Sequence, residues 1–170
     1  TLGNNWIATA FTYQANMPHW LGWIAVFLLS LYLAVYPLLS LLGAWLLTRR
    51  FALRDGPAAW PLPWLGLVLV PLWIVGEWLR AWVFTGFAWN PLSMVLLGGY
   101  DAQGLAFLAP WTGTYGLSGL VVALAALLRM FVHQLRAATP GGRIALASYY
   151  GPLTLIVVGG MIAPAGQLDS

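Results

Sequence analysis

Apolar runs long enough to cross a membrane dominate this chain, and they leave it few folds to choose from. Four such runs lie at about residues 20–47, 64–84, 112–131 and 144–162. A bilayer's hydrocarbon core is roughly 30 Å thick and takes about 20 helical residues to cross. No water is available there, so a spanning segment satisfies its backbone polar groups as a helix or within a closed barrel. Charged residues make up 6% of the chain, against about 25% in an ordinary soluble domain. The expected architecture is all-α: a polytopic transmembrane helix bundle of about four spanning helices, with short interfacial helices in the 85–111 connection.

Around this bundle the chain divides simply. Residues 1–19 set Trp6, Phe11 and Tyr13 among polar residues, the composition of an interfacial segment whose aromatic rings sit at headgroup level. Residues 20–163 form the transmembrane domain, and 164–170 read as the start of an outer domain missing from this chain. The chain is therefore expected to be a piece of a longer protein.

Local signals refine the spans. Pro37 removes a backbone donor and frees the carbonyl of Leu33, so a kink is expected there. Ser40 or a neighbouring helix could satisfy the freed group. Gly116, Gly119, Ala123 and Ala126 offer small surfaces for close helix approach. The Pro140-Gly141-Gly142 stretch reads as a turn. In the connection, Asn90-Pro91 resembles an N-cap with proline at the first helical position, opening a short helix through Leu97. Asp101 could cap a second helix over Ala102–Ala109, stopped by Pro110.

The net charge of +3 comes from arginine alone. Arg49, Arg50 and Arg54 flank one loop, and Arg129, Arg136 and Arg143 flank or occupy another. By the positive-inside rule both loops are expected on the cytoplasmic side. Both ends of the chain and residues 85–111 then face outward. This charge is a topology signal rather than a sign of nucleic-acid binding. With no cysteine, and with His19 and His133 far apart in sequence, no metal or cofactor site is expected.

Glu77 and Arg80 stand apart from this pattern, because they lie inside an apolar run three residues from each other and share a helix face. Charge within a membrane is costly, and a residue that carries it is by default a functional candidate. Two readings stay open at this point. Either the pair satisfies itself and fixes helix packing, or it faces a cavity or substrate path.

The stretch from Glu77 onward resembles the apolipoprotein N-acyltransferase family. Its ordered pieces are Glu77-Trp78-Leu79-Arg80, Thr85-Gly86-Phe87-Ala88-Trp89, Gly99-Tyr100, Leu108-Ala109-Pro110 and Gly113-Thr114-Tyr115-Gly116-Leu117-Ser118. They look like the family's E-x-L-R, T-G-F-P-W, G-Y, L-A-P and G-x-Y-G-x-S run. Ala88 departs from it, standing where the family has proline, which leaves the placement of the Trp89 ring less constrained. The resemblance implies a membrane bundle carrying a nitrilase-like domain on the outer face of the bacterial inner membrane. It implies an enzyme that moves an acyl chain from a phospholipid donor to the N-terminal diacylglyceryl-cysteine of a lipoprotein acceptor. A Glu-Lys-Cys set does that chemistry in the family. None of it can be placed here, since the chain has neither Cys nor Lys.

On this reading no residue of the chain is catalytic. Phe87, Trp89 and Tyr100 are expected to line a lipid entrance, with Glu77 and Arg80 as a supporting intramembrane pair. The working state is expected to be a monomer. The alternatives are a transporter or channel element, with the charged pair on a polar path, and a non-catalytic membrane scaffold.

Overall fold

A computed structural model describes Thr9 and residues 18–52, 62–83, 90–99 and 102–162. Four long helices account for most of them: α1 (His19–Ala52), α2 (Leu62–Trp82), α3 (Ala109–Ala137) and α4 (Pro140–Ile162). Two short 3-10 helices, Leu92–Leu96 and Gly104–Leu108, lie between α2 and α3. All four long helices are long and apolar enough to cross a membrane. The protein is thus a multi-pass, all-helical membrane protein.

The helices run up and down in a row. Ser40 of α1 meets Leu72 of α2, Gly66 of α2 meets Ala126 of α3, and Phe131 of α3 meets Tyr150 of α4. Contacts along each pair run in opposite senses (Tyr36 with Gly76 but Gly43 with Leu72; Gly66 with Ala126 but Ile74 with Gly119; Phe131 with Tyr150 but the Leu117 cluster with Val157), so neighbours are antiparallel. Most large side chains on the row point outward; Trp23, Phe27 and Leu38 of α1 are each about 60% exposed. In lipid such side chains are solvated rather than stranded, because hydrocarbon is as apolar as leucine.

Association in that solvent relies on backbones coming close, and small residues mark where they do. A Cβ placed on Gly66 would stand 2.5 Å from the Ala126 Cβ, and one on Gly119 2.6 Å from the Ile74 Cδ1. The sequence expectation for Gly119 and Ala126 is met, with Gly66 supplying the complementary surface on α2. Gly76 approaches Ser40 more closely still. The Ser40 hydroxyl lies within hydrogen-bonding reach of Tyr36 O in its own helix and of Leu72 O on α2, at 3.1 and 2.9 Å. It therefore ties α1 to α2; the carbonyl of Leu33, freed by Pro37, is not its partner.

Several boundaries differ from the sequence expectation, mostly at prolines. α4 begins at Pro140, because a proline at the first helical position forfeits a donor that has no partner anyway. Arg49 and Arg50 sit in the last turn of α1, where positive charge suits the helix C-terminus. Pro110 does not end a helix; it lies in the first turn of α3. Gly113 then takes a conformation (φ 67°, ψ 170°) that only glycine adopts readily, and breaks that first turn from the rest of α3.

The apolar core sits at one end of the row, beneath the connection. Leu96 and Leu105 from the two 3-10 helices and Leu117 from α3 are all buried there. Val157 and Met161 of α4 pack against them. Leu105 projects into the notch at Gly160, where a Cβ would lie 2.6 Å from Leu105 Cδ2. Midway along α4, the Tyr150 ring rests 5.0 Å from that of Phe131. Between these two attachments α3 and α4 part, leaving a groove of about 190 Å³ lined by Leu124, Leu128, Leu153 and Val157 among others.

Candidate functional site: the pinned connection

The described part of the connection is held in place because two of its backbone amides find partners on the membrane helices. The first N–H groups of any helix lack intrahelical acceptors. In the Leu92–Leu96 turn two of these go to side chains from elsewhere. The Leu92 N–H donates to Glu77 Oε1 on α2 at 2.7 Å. The Ser93 N–H donates to Ser118 Oγ on α3 at 3.0 Å. Glu77 is 5% exposed and Ser118 fully buried, so both bonds are shielded from competing water.

This arrangement replaces the local cap expected from Asn90-Pro91. Pro91 is the capping position and makes no side-chain cap bond. Asn90 instead adopts a left-handed conformation, φ 37°, which asparagine tolerates better than most residues. The helix expected to run through Leu97 is a single 3-10 turn. The second expected helix is likewise a 3-10 turn that leads directly into α3. A side chain on Gly104, itself at φ 61°, would collide with the backbone of Leu96, Leu97 and Gly98. The two turns therefore touch backbone to backbone.

Glu77 gathers further donors. Trp73 Nε1 donates to the same Oε1 at 3.3 Å, one helical turn away. Arg80 stands 3.7 Å from it, an ion pair too long to be a hydrogen bond. The guanidinium also donates from Nη2 to the carbonyl of Asn90 at 3.4 Å. Arg80 therefore folds back over the connection rather than reaching away from it. Its side chain is only 15% exposed.

Together α2, α3 and the turn form a bracket: an acid, a base and a hydroxyl on rigid helices hold one short segment of backbone. No group in it is set up as a nucleophile, and the chemistry it offers is positioning. Phe87, Trp89 and Tyr100, expected at a lipid entrance, lie outside the described residues, as do Ala88 and Asp101. The chain brings Glu77 and Arg80 together as expected from their spacing. Sequence reasoning missed the roles of Ser93, Ser118 and Trp73. The i, i+4 spacing of Trp73 and Glu77 was a usable signal; the pairing of Ser118 with Ser93 had none.

A family model described as the apolipoprotein N-acyltransferase N-terminal domain matches residues 1–127. The chain belongs to the apolipoprotein N-acyltransferase family. The apolipoprotein N-acyltransferase of Ralstonia nicotianae is 38% identical over 127 residues, covering 72% of this chain and 21% of that protein. The protein of that name from Nitrosomonas europaea is 36% identical over 135 residues, covering 78% and 24%. A more distant one from Pasteurella multocida aligns over 99% of this chain at 28% identity. No solved structure gives a match. The chain thus spans about a quarter of the length of the apolipoprotein N-acyltransferases it matches. The bracket at Glu77, Ser93 and Ser118 lies wholly within the part that the family model covers.

Proposed function

We propose that this chain is the membrane platform of an apolipoprotein N-acyltransferase, holding lipid substrates while other residues of the enzyme carry out the acyl transfer. The donor is a phospholipid and the acceptor the N-terminal diacylglyceryl-cysteine of a lipoprotein. Both have acyl chains in the membrane, so a platform at the leaflet surface spares them from leaving it. The enzyme works as a monomer in the bacterial inner membrane. The connection, both ends of the chain and the residues following 163 face outward, opposite the arginine-bearing loops.

The observation that carries this reading is the fixed seat of the connection on α2 and α3. Loops of such length are seldom structureless in a compact fold. This one is held by two buried side-chain bonds next to an aromatic sequence. Phe87, Trp89 and Tyr100 on its flanks line the lipid entrance. Glu77 and Arg80 brace it: the carboxylate is engaged by Leu92 and Trp73, and the guanidinium by Asn90.

The test is acyl transfer by the full-length enzyme with Phe87, Trp89 and Tyr100 changed to alanine singly and together. The apparent KM for phospholipid is expected to rise severalfold, with the rate at saturating lipid retained. An unchanged KM in the triple variant would remove these residues from the lipid entrance. Loss of rate at saturation with KM unchanged would assign them to the chemistry instead.

A further inference from the structure

Two buried atoms beside the bracket lack a hydrogen-bonding partner among the described residues: Glu77 Oε2 and Arg80 Nε. A carboxylate oxygen only accepts and a guanidinium nitrogen only donates, so the two are complementary. The ion pair between their residues, from Arg80 Nη2 to Glu77 Oε1, is 3.7 Å long and uses neither of these two atoms. At polar separations above about 3.5 Å a water can bridge the two groups.

Both residues line one small cleft between α1 and α2, together with Tyr36, Ser40, Trp73 and Gly76. Its volume is about 10 Å³, close to what one water molecule needs. A lipid phosphate is larger and offers only acceptors, which suit Arg80 but are repelled by Glu77. A metal cation would suit Glu77 and be repelled by Arg80. Water is the small ligand that both donates and accepts.

We propose that this cleft is a binding site for a single water molecule, which donates to Glu77 Oε2 and accepts from Arg80 Nε–H. With it, the bracket closes into a ring. The Leu92 N–H bonds Glu77, Glu77 bonds the water, the water bonds Arg80, and Arg80 bonds the Asn90 carbonyl. The ring returns to the connection within two residues of where it left, so both ends of the Asn90–Leu92 segment are tied to α2. This inference rests on side-chain geometry alone and is independent of the lipid-entrance reading.

Water-edited solid-state NMR on the uniformly ¹⁵N-labelled protein in lipid nanodiscs tests it. The Arg80 Nε–H signal is identified by its loss in Arg80→Lys. Magnetisation from water is expected to reach it, while the backbone amide of Ile74, within α2, receives none. Absence of water transfer to Arg80, or a contact with lipid phosphorus in its place, would overturn the proposal. Hydrogen exchange at the Leu92 amide supplies a second reading. It is expected to be slow in the wild-type protein and clearly faster in Arg80→Met, which removes the water's acceptor-side partner. Equal exchange in both proteins would sink the ring.

Discussion

Glu77 accepts the backbone N–H of Leu92 at 2.7 Å, so a membrane helix supplies the cap for a turn fifteen residues further along the chain. An N-cap is normally local, from a Ser, Thr, Asp or Asn at the turn itself. Here the cap comes from a different element. The bond therefore does two things, satisfying an orphan donor and fixing the turn's position relative to α2.

Replacing Glu77 by methionine leaves the Leu92 amide without its acceptor and Arg80 without its counter-charge. A hydrogen bond to a charged group contributes about 1.5–3 kcal/mol, and breaking a buried pair from one side costs more than the pair is worth. Glu77→Met is expected to destabilise the fold by about 2–4 kcal/mol, read from unfolding in mixed micelles. Glu77→Gln keeps an acceptor oxygen and is expected to lose well under half of that. Equal losses in the two variants would mean that the charge pair, not the cap, holds the connection.

Ser118→Ala removes the acceptor of the Ser93 N–H at a fully buried position. The expected cost is about 1–2 kcal/mol, the penalty of an unsatisfied buried amide. Hydrogen exchange at Ser93 is expected to quicken while the body of α3 stays protected. Because Glu77 and Ser118 pin adjacent residues of one turn, the double variant Glu77→Met/Ser118→Ala is expected to cost less than the two singles added.

The spans were legible in the sequence because bilayer thickness imposes its period directly on composition. The bracket was only half legible. Glu77 and Arg80 drew notice as charges in an apolar run, and their spacing put them on one face. What Glu77 binds was not readable, because Leu92 is distant in sequence and contributes only its backbone, which every residue has. The same limit hid Ser118, whose hydroxyl looks like any small polar residue in a membrane helix. The prolines misled for a different reason. Pro110 and Pro140 forbid a helix continuing into them but permit one starting there, and sequence alone leaves that choice to tertiary context.

Close packing of α2 on α3 gives a size-dependent prediction. Gly66→Val is expected to destabilise by about 1–3 kcal/mol, as overpacking does, because the Ala126 Cβ cannot rotate out of the way. Ala126→Gly in the same protein is expected to restore part of the loss. Rescue would be absent if Gly66 mattered for backbone conformation rather than for contact.

Neighbouring glycines of α4 provide a paired control. Gly160 faces Leu105, whereas a Cβ on Gly159 meets nothing within 4 Å. Gly159→Val is expected to stay within about 0.5 kcal/mol of the parent protein, like other substitutions that disturb no contact. Gly160→Val is expected to push α4 off the connection. Disulfide formation between cysteines introduced at positions 157 and 117 would report this as slower crosslinking in Gly160→Val only.

α4 is joined to the rest near its C-terminal end, by Gly160 on Leu105, and at its middle, by Tyr150 on Phe131, with the groove of about 190 Å³ between them. A helix held at two points, with a groove between them, leans on its solvent. Its seat depends on the hydrocarbon around it as much as on protein contacts, so the surrounding membrane is a structural component of this fold. Stripping lipid with a harsh detergent should release α4 first, while α1, α2 and α3 hold together through their own close-packed backbones.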